Sequence, residues 1–311
     1  MANLLNVLLL STLVAAAFTT RSVSQECAGT VPGVSAGQPR ALYFSDGSGL
    51  ALLSRMNINI DGSARAYHVS DNSLGLIHLC NAGTVYLPNG TRYAGSESNE
   101  VCTGRFMTDY NRIREAGWND PAIGAISWYG ILGQGEVTVG GNRVRNIVPV
   151  EQPGNTGFYV SPTALQDPSY PVGDQRRYVD PLTVPAAVIP QSQYLTEIGV
   201  VLGTTGVAID PRIGVPVPFV VGDIGPRFGE GSSALARMVA GLTPDPSLPR
   251  SQRYLGAVSE PRILWVFFGG DVLNPPFDAA AVVARAGEAY EEWGGAERLT
   301  ACVDSTVVPV G

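Results

Sequence analysis

The sequence contains no lysine, only two histidines and few charged residues of either sign. Arginine supplies all 20 basic residues, against 27 acidic ones, and the net charge is −7. Nucleic-acid binding depends on neutralising phosphates with clustered basic residues. An acidic chain without a basic run therefore does not fit that class, and its charge favours a neutral or cationic partner.

Long apolar runs are also scarce. Among the 311 residues, the apolar stretch Leu4–Phe18 is too short for a comfortable transmembrane helix and is typical of a secretory signal peptide. A buried N-terminal helix or a membrane anchor is the alternative. We expect residues 1–25 to be removed and residues 26–311 to form a single secreted domain that does not span a membrane and is monomeric.

Cysteine pairs spaced as Cys-x-x-Cys are absent, which argues against a Cys/His metal site, and we expect no metal and no organic cofactor. Four cysteines in an exported chain predict two disulfides, for which three pairings are possible. We favour Cys80–Cys102, which would close a loop of about 22 residues, and Cys27–Cys302, which would join the two ends of the domain.

Glycine and proline interrupt the chain about every 8 to 12 residues, a spacing that predicts many short strands. The predicted strands are Ile123–Trp128, Glu136–Val139, Arg143–Val150, Gly157–Val160, Ala186–Ile189, Gly199–Gly203, Val207–Asp210, Val217–Gly222 and Arg262–Phe268. The predicted helices are Thr108–Ala116, Ser232–Ala240 and Asp278–Trp293, with Ala301–Val310 extended. The sum predicts a mainly β fold, a β-rich α+β domain with a few covering helices.

Two carboxylates stand seven residues apart in the segment Val220–Ser233. A near-continuous apolar strand, predicted to be buried on both faces, delivers Asp223, and Glu230 follows between two glycines just before a helix. A pair of carboxyl groups, one protonated and one ionised, is what glycoside hydrolysis requires. The alternative is structural, with Asp223 in a turn and Glu230 in the cap of the next helix.

The segment V-V-G-D-I-G-P-R-F-G-E-G-S-S resembles the signature of glycoside hydrolase family 75, the fungal and bacterial chitosanases. Three further segments resemble the family in the same order, and together the matches cover roughly residues 55 to 300. They are Met56–Leu79, similar to a D-x-D-x-D-G block; Thr156–Thr163, similar to T-G-F-Y-V-S-x-T; and Tyr178–Pro190, similar to Y-V-D followed by P-x-x-V-x-P.

The resemblance implies a secreted endo-chitosanase that cleaves β-1,4 linkages between glucosamine units with inversion. It implies that Asp223 and Glu230 are the essential carboxylates. We assign Glu230 as general acid and Asp223 as base, with the reverse assignment left open. Asp61, Tyr159 and Asp180 are predicted to contact the sugar. The strand, loop and helix around Asp223 also look like the crossing element of a double-psi β-barrel, which predicts a barrel-like core.

The sequence departs from the family at Asn57 and Asn59, where the D-x-D-x-D-G block has acids. This difference keeps two alternatives open. One is a related hydrolase of another amino-sugar polymer such as peptidoglycan. The other is a carbohydrate-binding secreted protein without catalytic activity, which the presence of both Asp223 and Glu230 argues against.

Overall fold

The structure is a computed structural model, and it describes residues 27–32, 39–70, 73–154, 157–305 and 307–311. The predicted signal peptide, residues 1–25, lies outside these ranges, as does Thr156 of the T-G-F-Y-V-S-x-T segment. Within them, no helix has the length and apolar character needed to cross a membrane.

Thirteen strands and five α-helices are present in the part of the chain that the structure describes. The strands are β1 (Gly29–Thr30), β2 (Leu42–Phe44), β3 (Gly49–Asn59), β4 (Gly83–Tyr86), β5 (Arg92–Ala94), β6 (Ala125–Trp128), β7 (Gly133–Val139), β8 (Asn142–Pro149), β9 (Ala186–Pro190), β10 (Thr204–Ile209), β11 (Val217–Gly225), β12 (Glu230–Ser232) and β13 (Val258–Val272). The helices are α1 (Phe106–Glu115), α2 (Gln193–Glu197), α3 (Ser233–Val239), α4 (Ala279–Trp293) and α5 (Gly295–Val303).

Six strands form a closed barrel in the order β3-β12-β9-β11-β10-β13, because β13 also pairs with β3. The β12–β3 and β9–β11 pairs are parallel, whereas the other four pairs are antiparallel. Closure removes the exposed strand edges that an open sheet would leave. The predicted mainly β, barrel-like fold is therefore confirmed, and the double-psi crossing stays a prediction.

The longest barrel strand shows why the apolar runs lack polar alternation. Along β13, Ile263, Trp265 and Phe267 enter one core cluster, and the intervening Leu264, Val266 and Phe268 enter another beneath α4 and α5. Successive strand residues point to opposite faces, so both faces of β13 are buried. The same holds for β11, where Val217, Phe219 and Val221 lie in the first cluster and Val220 in a third. The prediction that this strand is buried on both faces is confirmed.

A smaller unit packs beside the barrel. Strands β5, β4 and β6 form a three-stranded sheet, and β7 and β8 form a hairpin. The core of this unit is aromatic, with Phe106, Tyr110 and Trp128 in edge-to-face or stacked contact. The Cys80–Cys102 disulfide closes its loop as predicted.

Helix α4 begins and ends where the sequence indicates, whereas helix α5 was not predicted. The Asp278 side chain caps α4 by accepting a hydrogen bond from the Ala281 amide. At the other end, Gly294 has φ of 128°, which favours glycine over any other residue. The predicted disulfide between Cys27 and Cys302, on α5, ties this helix to the start of the described chain.

Three predicted elements are wrong. Residues 157–160 make only isolated bridges and form no strand, because no neighbouring strand continues the pairing. Residues 199–203 form a turn with positive φ at Gly199 and Gly203 rather than a strand. The predicted extended segment Ala301–Val310 begins inside α5, and only Val310 makes a strand-like bridge, to Leu53. Short apolar stretches suit either a strand or a buried turn, and tertiary contacts decide between them.

Candidate active site

Asp223 and Glu230 lie on the two strands that flank β9. Asp223 is in register with Val188 on the parallel side, and Glu230 is in register with the same Val188 on the antiparallel side. Neighbouring strands are about 4.8 Å apart, so the two Cα atoms are roughly two spacings, about 10 Å, from each other. Residues side by side in a sheet share a face, so both carboxyl groups project from the same side.

A β-bulge at Gly222 decides which face Asp223 occupies. Strand β11 does not stop at Gly222, as the sequence predicted; it continues to Gly225 with a register shift against β9 between Val221 and Asp223. Without the shift, Asp223 would share the interior face of Val221. The extra residue turns Asp223 to the opposite face. A Cβ at position 222 would lie 2.9 Å from the Ala186 Cβ, which requires glycine there.

Three N–H donors hold the Asp223 carboxyl group. Its Oδ1 accepts hydrogen bonds from the amides of Ala164 and Ile224, each at 2.9 Å. Its Oδ2 accepts one from Nδ2 of Asn59 at 3.4 Å. Burial raises the pKa of Asp223 above the usual aspartate value, the three donors lower it, and the nearby charge of Glu230 raises it. The result is a carboxylate of increased basicity with fixed orientation.

A third carboxyl group, Asp61, lies beside this pair. Its Oδ1 accepts a hydrogen bond from the Tyr67 hydroxyl at 2.7 Å. Burial, together with the charges of Asp223 and Glu230, raises the pKa of Asp61 to about 7, although the hydrogen bonds from Tyr67 and Ser161 oppose the shift. Near neutral pH, Asp61 is therefore protonated for part of the time, because the charges of Asp223 and Glu230 disfavour a third negative charge beside them.

One open cavity of about 430 Å³ joins these groups. Its walls come from the end of β3, the loop after β6, the loop before Leu165 and the β11–β12 connection. Its lining residues are Asn59, Asp61, Tyr129, Pro162, Thr163, Ala164, Asp223, Ile224, Gly225, Pro226 and Glu230. The cavity therefore lies between the barrel and the smaller unit, with carboxyl groups on its floor and an exposed tyrosine on its rim.

The other two predicted sugar contacts lie elsewhere. Tyr159 is only 2 % exposed, and its hydroxyl is hydrogen-bonded to that of Tyr110 in the aromatic core. Because it is buried, Tyr159 has no surface that could contact a sugar, and its role is structural. Asp180 lines a different cavity of about 460 Å³, where its carboxylate accepts hydrogen bonds from the Leu182 amide and the Thr183 hydroxyl. Burial raises the pKa of Asp180.

Sequence reasoning missed three residues of this region. Asn59 attracted notice only as a departure from the family pattern, yet it contacts Asp223 directly. Tyr129 is 57 % exposed on the cavity rim. Tyr254 is 52 % exposed and close enough to Tyr67 to affect its ionisation. No local motif marks the two tyrosines, because only the fold brings them to Asp61.

The four tryptophans pack in or against the cores of the barrel and the smaller unit. Trp128, Trp265 and Trp293 are at most 5 % exposed, and Trp118 packs against the smaller unit's core. The remaining cluster of soft donors combines His78 with Cys80 and Cys102. Because both sulfurs belong to one disulfide, this cluster does not offer thiolate ligands.

A scan against protein-family models finds no match for this chain, and a search of curated proteins finds no similar sequence. The resemblance to family 75 therefore rests on the four sequence motifs.

Proposed function

We propose that this protein is an endo-acting chitosanase that hydrolyses β-1,4 linkages between glucosamine units with inversion. The observation that supports it best is that Asp223 and Glu230 flank Val188 and face one open cavity. Inverting glycosidases separate their carboxyl groups by ~6.5–9.5 Å to admit a water, and retaining ones by ~5–5.5 Å. Two strand spacings suit the inverting arrangement.

In this mechanism the carboxyl group of Glu230 transfers its proton to the glycosidic oxygen as the bond to the anomeric carbon breaks. Asp223 accepts a proton from the water that attacks this carbon from the opposite face. The anomeric configuration inverts. Asp223 ends protonated and Glu230 ionised, and exchange with solvent restores the starting state.

The hydrogen bonds support this division of roles. Asp223 accepts three N–H donors, which favour its ionised form. In the described part of the chain, no group donates a hydrogen bond to the Glu230 carboxyl, so its oxygens are free to carry a proton to a substrate. We therefore assign Asp223 as the base and Glu230 as the acid.

Charge and shape support a cationic sugar polymer as the substrate. The net charge of −7 and the three carboxyl groups in the cavity attract the ammonium groups of glucosamine units. The exposed rings of Tyr129 and Tyr254 offer flat surfaces for the C–H faces of sugars, because aromatic faces carry negative partial charge. Secretion belongs to the same proposal, since two disulfides persist best in an oxidising compartment.

A second substrate class has one specific observation behind it. Asn59 puts a neutral amide on the cavity floor, and Asn57 is in register with Glu230 on the neighbouring strand. Neutral amides suit N-acetylated sugars better than ammonium groups, so peptidoglycan or another acetylated amino-sugar polymer is the alternative substrate.

The test is release of reducing ends from highly deacetylated chitosan at mildly acid pH, by the wild type and by Glu230→Gln and Asp223→Asn. We expect release by the wild type alone. Purified cell walls assayed in parallel separate the two substrate classes. Turnover by Glu230→Gln at the wild-type rate contradicts the proposed site, and chitosan binding without any release by the wild type indicates a binding protein.

A further inference from the structure

Asn59, the last residue of β3, bridges the two aspartates of the cavity. Its Oδ1 accepts a hydrogen bond from the Asp61 amide at 2.7 Å. An amide N–H can only donate, so this contact fixes the orientation of the Asn59 side chain. Nδ2 must then face the cavity, where it donates to Oδ2 of Asp223 at 3.4 Å.

The two oxygens of Asp223 have different surroundings. Oδ1 is occupied by two backbone amides, one from Ile224 in β11 and one from Ala164 in the loop before Leu165. Among the described residues, the Asn59 amide alone donates to Oδ2. A carboxylate oxygen has capacity for two hydrogen bonds. Oδ2 is therefore the oxygen with room to accept a proton from water, and Asn59 determines its direction.

The charges around this bridge are all of one sign. The titratable groups that face Asp61 and Asp223 are Glu230, Tyr67 and Tyr129, besides the two aspartates themselves. None of these can donate positive charge to Asp223. The Asn59 amide is thus the side chain that favours the ionised form of Asp223 against two neighbouring acids.

We propose that Asn59 is a positioning residue that orients Oδ2 of Asp223 toward the attacking water and keeps this carboxylate ionised at the pH of catalysis. The proposal rests on the proposed hydrolase activity for its catalytic consequence, but not for its effect on Asp223 itself.

Two substitutions separate orientation from charge. Asn59→Ala removes the donor, and we expect kcat to fall on the order of tenfold with KM changed less than about twofold. Asn59→Asp replaces the donor by a third acid. We expect it to move the acidic limb of the kcat/KM profile upward by about one pH unit or more. Asn111→Asp, on the exposed surface of α1, adds the same charge away from the site and should leave the profile unchanged.

Carboxyl-carbon NMR titration of Asp223, assigned through Asp223→Asn, gives a readout that does not depend on activity. We expect the Asp223 titration to move to higher pH in Asn59→Ala and further in Asn59→Asp. An unchanged titration in both folded variants overturns the role of Asn59. A wild type that releases no reducing ends, with the titration shifts present, overturns the hydrolase activity and leaves the action of Asn59 on Asp223 intact.

Discussion

Two carboxyl groups of this protein each accept a hydrogen bond from a tyrosine hydroxyl, but their other neighbours differ. Asp109, in the smaller unit, accepts a hydrogen bond from the Tyr93 hydroxyl at 2.7 Å, and Asp61, beside the barrel, accepts one from Tyr67 at the same distance. Asp109 also pairs with Arg112 at 2.9 Å. Asp61 faces Asp223 and Glu230 instead.

The difference separates an acid with a structural partner from an acid of the proposed site. An arginine beside Asp109 compensates its charge, so this group stabilises the fold. Clustering Asp61 with two other acids raises the energy of its ionised form and costs stability. Proteins keep such unfavourable arrangements where they serve a function. The comparison therefore points to the barrel cavity as the site by an argument independent of sequence motifs.

The largest expected effect concerns catalysis at the barrel cavity. Asp223→Asn should lower kcat for chitosan by about 10²–10⁴-fold, because an amide cannot accept the proton from water. The melting temperature should change by only a few degrees. Asp109→Asn serves as the matched amide variant in the other unit and should retain kcat. An equal loss of kcat in both variants contradicts the distinction between the two acids.

The next effect concerns stability against pH. The pKa of Asp61 rises from about 4 in the unfolded chain to about 7 in the folded protein. Its protonated form therefore supports folding fully below pH 4, and this support is lost as pH rises to about 7. Asp61→Asn stays neutral, so urea unfolding should show it more stable than the wild type by a few kcal/mol at pH 8.

At pH 3.5 the two proteins should unfold at similar urea concentrations. A wild type that is the more stable protein at pH 8 contradicts the charge repulsion inferred for Asp61. Retention of most chitosanase turnover by Asp61→Asn at pH 5 is expected from the assignment of Glu230 as acid. Complete loss of turnover in this folded variant would transfer that role to Asp61.

In the smaller unit the same kind of substitution should have the opposite effect on the free energy of unfolding. Asp109→Asn removes the negative partner of Arg112, and we expect a loss of about 1 kcal/mol at pH 8, because Arg112 is half exposed and the ion pair is partly screened. Urea unfolding of Asp109→Asn and Asp61→Asn side by side measures the contrast. If both variants are destabilised by the same amount at pH 8, the predicted contrast between the two acids is contradicted.

The smallest effect concerns the tyrosine partners. Tyr67→Phe deletes the hydrogen bond that lowers the pKa of Asp61. We expect the midpoint of Asp61, followed by carboxyl-carbon NMR, to rise by up to about one pH unit. Tyr93→Phe is the control in the other unit and should leave the Asp61 midpoint unchanged. A midpoint that stays fixed in Tyr67→Phe contradicts the inference that the Tyr67 hydrogen bond lowers the pKa of Asp61.

The sequence predicted most where the signal was local. Asp223 and Glu230 stand in one glycine-rich segment. Apolar runs plus glycine spacing were enough for a β-rich fold, and the likeness of the Asp223 segment to a barrel crossing element added the barrel. The Gly222 bulge was not predictable, since strand alternation does not reveal which residue is the extra one. That single extra residue determines which face of the sheet carries the Asp223 side chain.

Residues brought together by the fold gave no such signal. Asn59 contacts Asp223 although 164 residues separate them, and Tyr129 lines the same cavity. Tyr129 belongs to no motif, and Asn59 was marked only as a departure from the D-x-D-x-D-G block. Tyr159 shows the reverse error, because it belongs to a motif yet lies in the aromatic core. A motif identifies residues that matter to a fold or a site, and burial distinguishes the two.

The shared register of both acids with Val188 has a consequence for how proteins with this arrangement can vary. Main-chain hydrogen bonds join β9 to β11 on one side and to β12 on the other. These bonds set the distance between the two acids. The loop 226–229, which connects the two acids in sequence, does not set this distance. A change at Pro226 or Arg227 would therefore alter the entrance to the cavity while the spacing of the two carboxyl groups stays constant. Phe228 and Gly229 are constrained by the core, because Phe228 packs in it and a Cβ at Gly229 would lie 2.5 Å from the Ser54 Oγ.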